Sequence, residues 1–197
     1  MAAQLTLSTS QRLLAASTFA RDRASGLGGG LHVDILSSLN VLNSTFLGGK
    51  NREGIVVSSG LANVVFSTIL AADLGIGSTP NINLSNSILR EVTCAPSVRD
   101  DGFNLQFQST SCPGSVPTAN PDMDPRLLRN NGGPTPTVAL LERSPAIDAI
   151  PIGDCVDQNN LPVRTDQRGF ARPAGPACDM GAYEFGATPA TGSATRR

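Results

Sequence analysis

Tryptophan is absent from this chain, tyrosine occurs once, at Tyr183, and histidine once, at His32. Aromatic residues fill 4% of the 197 positions, too few for the stacked platforms that hold bases or sugars. One histidine and four cysteines without CxxC spacing do not make a zinc site. Charged residues are 16% of the chain, against about 25% in ordinary domains. Net charge is −1, and no basic cluster exceeds the Arg196-Arg197 pair. Neither nucleic acid nor an anionic membrane surface is therefore an expected partner. No run is long and apolar enough to span a bilayer. The opening residues 1–7 lack the basic stretch and continuous apolar core of a secretory leader.

What the chain has instead is glycine, serine, threonine and asparagine, together with a short recurring pattern. Residues 15–19, 42–46, 65–69 and 84–88 read Ala-Ala-Ser-Thr-Phe, Leu-Asn-Ser-Thr-Phe, Val-Phe-Ser-Thr-Ile and Leu-Ser-Asn-Ser-Ile. Taking Ser17, Ser44, Ser67 and Asn86 as equivalent, the spacings are 27, 23 and 19 residues (44−17, 67−44, 86−67). In a strand, alternate residues share a face. Leu42, Ser44 and Phe46 would then point one way, as would Val65, Ser67 and Ile69, and Leu84, Asn86 and Ile88. A period of this length with short β-like runs predicts an all-β solenoid whose equivalent strands stack in parallel. Phe46, Ile69 and Ile88 are expected in one buried column, with Leu42, Val65 and Leu84 in a neighbouring one. Further strands are predicted at residues 4–8, 31–35 and 54–57, and length differences fall in the loops 26–30 and 72–80. A β-sandwich is the competing all-β reading.

The four cysteines form two local pairs, Cys94 with Cys112 and Cys155 with Cys178. Three pairings exist, and the sequential one closes two short loops, each worth roughly 3 kcal/mol in the chain-entropy model. Disulfides imply an oxidising compartment, so an extracellular or cell-surface location is expected over a cytosolic protein with four buried thiols. The repeat is already running when the chain begins, so a signal peptide and further repeats are expected upstream.

Residues 124–148 run DPRLLRNNGGPTPTVALLERSPAID, and residues 165–185 run TDQRGFARPAGPACDMGAYEF. Together they resemble the C-terminal end of bacterial surface proteins of the parallel β-helix type, the choice-of-anchor Q domain proteins. Asp101 to Leu105, followed by Cys112-Pro113-Gly114, resembles the segment that leads into that block, and the Ser-Thr-Phe strands with their Gly-Gly-Gly-Leu turn are similar to right-handed β-helix rungs. The likeness is strong over residues 97–185 and diffuse before them. It implies a right-handed parallel β-helix over residues 1–115, a loop-rich C-terminal capping segment over 116–185, and a disordered tail over 186–197. The tail carries no recognisable sorting motif, which departs from the group's surface-attachment signals.

The resemblance implies architecture and location, and no reaction. Asp166, Arg168, Asp179 and Glu184 invite an acid–base reading, because carboxylate spacing decides glycosidase chemistry. Their place in the architectural block instead implies an ion-pair net pinning the tail to the last turn as a structural cap. Asp122, Asp124, Asp148, Asp154 and Asp157 give the second half an acidic tilt. Residues 154–159 offer several oxygens to a hard cation, so Ca²⁺ is the one cofactor considered, without an EF-hand or nonapeptide repeat to support it. Residues 130–136 read as a turn rather than a phosphate cradle. His32 has no nucleophile motif around it. Two functions follow: a non-enzymatic structural or adhesive module facing polysaccharide or a cell-surface protein, or a carbohydrate-active enzyme (polysaccharide lyase or glycoside hydrolase) on the same fold. For the enzyme, residues 31–90 supply only Asp34, Glu53 and Asp73 as acids and Lys50, Arg52 and Arg90 as bases, a thin set for a groove.

Overall fold

The computed structural model describes residues 6–7, 11–20, 31–33, 38–48, 53–57, 60–74, 81–96, 98–109, 111–113 and 117–190. The chain makes the same three-strand passage five times: β1 (Thr6–Leu7), β2 (Gln11–Ala15) and β3 (Thr18–Ala20); β4 (Leu31–Val33), β5 (Ser38–Leu42) and β6 (Thr45–Leu47); β7 (Glu53–Val57), β8 (Leu61–Val65) and β9 (Thr68–Leu70); β10 (Asp73–Leu74), β11 (Asn81–Ser85) and β12 (Ile88–Arg90); β13 (Thr93–Cys94), β14 (Val98–Asp100) and β15 (Leu105–Phe107). First strands join first strands, second join second and third join third, giving three five-stranded parallel sheets. The fold is all-β, and the described residues contain no α-helix, only one 3₁₀ turn at Ile152–Asp154. Of the predicted segments, 31–33 and 53–57 are strands, while loop residues 26–30 and 75–80, with 34–37, 49–52 and 191–197, lie outside the described residues.

The recurring Ser-Thr motif is a corner. The residue before each serine takes a left-handed conformation, as at Ala16, Asn43, Phe66 and Asn86 (φ 47–56°), and breaks the run between second and third strands. Each serine hydroxyl then donates across the corner, Ser44 Oγ to the Leu42 carbonyl at 3.0 Å and Ser67 Oγ to that of Val65 at 3.1 Å. It also accepts the amide of the circuit before, Ser17 N to Ser44 Oγ at 3.3 Å and Ser67 N to Ser87 Oγ at 3.1 Å. Asn104 Oδ1 plays the same part for Ser87 N, at 2.9 Å. The small polar column thus satisfies backbone groups that the bend takes out of the ladders.

This corner corrects the expected register. Ser87, not Asn86, is equivalent to Ser67, and the steps are 27, 23, 20 and 17 residues. A slip of one residue exchanges the two faces of a strand. The interior column is therefore Phe19, Phe46, Ile69 and Leu89, while Ile88 continues the outward column of Thr18, Thr45 and Thr68. Leu84 packs inward with Leu14, Val41 and Val64, whereas Leu42 and Val65 point outward. The left-handed residue resets the alternation, so Leu42 and Phe46 do not share a face. Inside, Phe19 stacks on Phe46 at 5.0 Å, and Leu31, Ile55, Leu74 and Cys94 line the first sheet. At roughly 25 cal/mol per Å² of apolar surface removed from water, these columns are the main source of stability.

Residues 117–190 pair only through isolated β-bridges and lie along the outside of the third sheet and its corner. Two apolar clusters seal the contact. Leu70, Ile88 and Leu105 pack with Met123, Val138, Leu140 and Ala146, and Val65 and Phe66 with Ile150, Cys155, Val163 and Cys178. Hydrogen bonds reach every one of the first four circuits, through Thr18 to Pro136, Asn43 to Thr165, Thr68 to Ala182 and Asn86 to Gly181 and Asp154. The segment runs down the side of the stack, where the sequence reading had it pinned to the last turn alone. Residues 186–190 continue it, with Pro189 bridged to Phe170 and the Ala171 amide donating to the Thr188 carbonyl. Both sequential disulfides are present, Cys94–Cys112 tying β13 to the loop after β15 and Cys155–Cys178 crossing the covering segment.

Candidate functional site

Asp166, Arg168, Asp179 and Glu184 are brought together, in a buried net that includes a residue the sequence reading missed, Arg172. Asp166 Oδ1 accepts the amides of Arg168 and Phe170 at 2.8 and 3.1 Å, closing the 166–170 turn. Its Oδ2 accepts Arg168 Nε at 2.8 Å and the Glu184 amide at 3.1 Å. The Arg168 guanidinium lies between the Phe170 and Tyr183 rings, 4.3 and 3.7 Å from their centroids, and donates to the Glu184 carbonyl at 2.6 Å. Arg172 donates to the carbonyls of Asp179 and Gly181 at 2.6 and 2.9 Å, meets Glu184 Oε2 at 3.4 Å, and rests over the Phe66 ring at 4.2 Å. Glu184 accepts the Ala174 and Asp179 amides, and Asp179 those of Asp148 and Phe185.

All five residues are at most 6% exposed. Three carboxyls face two guanidiniums, and burial, only partly offset by hydrogen bonds and Arg172, pushes the Asp179 and Glu184 carboxyls above their ordinary range. Burial likewise lowers Arg172. Raised carboxyls are what a general acid needs, but here each oxygen is bonded to backbone and none is open to a substrate. The net organises the covering segment. It touches the stack where Arg172 rests over the ring of the corner residue Phe66. Gln167, fully buried, adds to the links with the stack: its Oε1 accepts Thr45 Oγ1 at 2.6 Å, and its Nε2 donates to the hydroxyls of Thr18 and of Thr135 in the covering segment at 2.7 and 2.9 Å. Gln167 and Arg172 stand inside the motif 165–185, and their density of polar atoms among Gly and Pro was the available signal.

The remaining acids are scattered. Asp124 holds Arg126 at 2.9 and 3.0 Å, and that bond keeps its carboxyl below the usual range. Asp148 Oδ1 accepts the Ala177 amide. Asp157 Oδ1 caps its own turn through the Asn159 and Leu161 amides at 2.8 and 2.9 Å. Among the described residues no three His, Cys, Asp or Glu side chains group as a metal would require. Asp34, Lys50 and Arg52 lie outside the described residues, as do the side chains of His32 and Glu53. No described helix is long and apolar enough to cross a membrane. Gly132 and Gly133 take positive φ (87° and 80°), with Gly133 against the Arg168 backbone, so the 130–136 turn is packing material.

One open cavity of about 330 Å³ lies between the outer face of the second sheet and the 154–160 loop. Its lining includes Val65 and Val156, Asn63 and Asn83 of the second sheet, and Asp101, Asp154 and Asp157. Asn40, Asn63 and Asn83 form an amide ladder, Asn63 Nδ2 donating to Asn40 Oδ1 at 2.8 Å and Asn83 Nδ2 to Asn63 Oδ1 at 3.0 Å. Phe103, 37% exposed, stands at the same opening. Low aromatic content had argued against any stacking surface, yet the corner column projects this one ring into solvent. No family model matches the chain, and neither a curated protein nor a solved structure is detectably similar to it.

Proposed function

We propose that this chain is a non-enzymatic extracellular module of a bacterial surface or secreted protein, a right-handed parallel β-helix of the choice-of-anchor Q kind. It presents a rigid face to polysaccharide or to a cell-surface protein. The observation that carries this reading is the sealed net of Asp166, Arg168, Arg172, Asp179 and Glu184, in which the candidate acid–base groups are used up holding backbone. The rotation through three parallel sheets supports the β-helix, and two disulfides suit an oxidising compartment. In this reading residues 116–185 belong to the same domain and cap it laterally, covering apolar side chains of the third sheet. Incubation of the oxidised protein with pectic and other acidic polysaccharides, with and without Ca²⁺, tests it against the lyase or hydrolase alternative. No release of oligosaccharide is expected; catalytic depolymerisation abolished by substituting Asp101, Asp154 or Asp157 would overturn it.

A further inference from the structure

We infer that the cavity beside the asparagine ladder is a binding site for an amine-bearing saccharide. This deepens the proposed surface role by naming a ligand class. At about 330 Å³ it falls at the small end of ligand pockets, generally ~300–1,000 Å³, and suits one or two sugar rings. Its lining is acceptor-rich. Asp154 and Asp101 are exposed and make no side-chain hydrogen bond among the described residues, and Asp157 has Oδ2 to spare once Oδ1 caps its turn. The ladder ends at Asn83, leaving its Oδ1 outside the chain of amides. An acceptor-rich lining of this kind is satisfied by a ligand rich in donors.

Hydroxyls and an ammonium group are such donors. No Lys or Arg is among the described residues of the lining; Arg99, the register partner of Asn83, is exposed and outside it. Three carboxylates without a lining cation repel a uronate and attract an ammonium. Phe103 adds an apolar ring face at the mouth, which a sugar's C–H face covers and which distinguishes the site from one for a bare cation.

Calorimetry on the full, oxidised chain tests this with three probes: a glucosamine trimer, its N-acetylated counterpart and a galacturonate trimer. The glucosamine trimer is expected to bind, with the N-acetylated trimer at least about tenfold weaker and the galacturonate silent, since a charged hydrogen bond is worth about a factor of ten or more. The pair Asp101→Asn and Asp154→Asn should weaken the glucosamine trimer about tenfold at unchanged melting temperature, and Phe103→Ala should weaken both hexosamine trimers. Equal affinity for the N-acetylated trimer, tighter binding of galacturonate, tighter binding of a lysine peptide, saturable Ca²⁺ binding that excludes the sugar, or no binding of any trimer would each overturn the inference. Depolymerisation would count against the non-enzymatic reading instead, so the two fail separately.

Discussion

Thr45 Oγ1 donates to Gln167 Oε1 at 2.6 Å across 122 residues of sequence. This bond joins a strand of the second circuit to the covering segment, and the same amide reaches Thr18 on the circuit before. Gln167→Ala should leave the buried Thr45 hydroxyl without its acceptor and cost about 1–3 kcal/mol. Thermal or urea denaturation reads this directly. An unchanged transition would mean that the segment is held by its apolar clusters and its other hydrogen bonds, without help from Gln167.

The corrected register predicts different consequences for adjacent residues. Leu89→Ala opens a cavity in the interior column and should cost about 2–5 kcal/mol, with faster amide exchange across the third sheet. Ile88→Ala instead loosens the cover, and faster exchange should appear around residues 138–146 and 180–182, against which Ile88 packs. The same exchange pattern for both variants would contradict the register.

Reduction should weaken the protein at two places. The linked cysteines are separated by 18 and 23 residues, and loops of that size are worth roughly 3 kcal/mol each. Peptide mapping of oxidised material should recover the Cys94–Cys112 and Cys155–Cys178 pairs, and a thiol reductant should lower the melting temperature. Crossed pairing or four free thiols would remove the main support for an extracellular location.

The buried net makes stability depend on pH with a definite sign. Asp179 and Glu184 hold their protons to higher pH in the folded state than in the unfolded chain. Between the ordinary carboxyl pKa, about 4, and the raised folded values, the folded protein binds more protons, so stability falls as pH rises through that window. Asp124 acts in the opposite sense: its carboxyl is lowered, so its contribution is lost as pH falls below the ordinary value. Denaturant midpoints measured across the acid range should therefore decline more gently with rising pH in Glu184→Gln than in the parent. An identical slope would place the titrating group elsewhere.

The all-β class and the stacking of circuits about twenty residues long were legible from the sequence, because equivalent strands in a parallel stack bury the same kinds of side chain and so repeat in composition. The cysteine pairs were legible too, since short separations favour sequential closure. What the linear pattern left open was the face of each side chain. That was decided by left-handed corners at Asn43, Phe66 and Asn86, where local backbone geometry resets the alternation that a straight strand would keep. Tertiary packing alone decided that residues 117–190 lie along the side of the stack, because the outward Leu70, Ile88 and Val65 need cover. It also decided that the motif carboxylates are sealed while Asp154 and Asp157, noted in sequence only as loop oxygens, share one cavity with the distant Asp101. Proximity between segments fifty residues apart follows from where the chain folds back, and no local pattern encodes it.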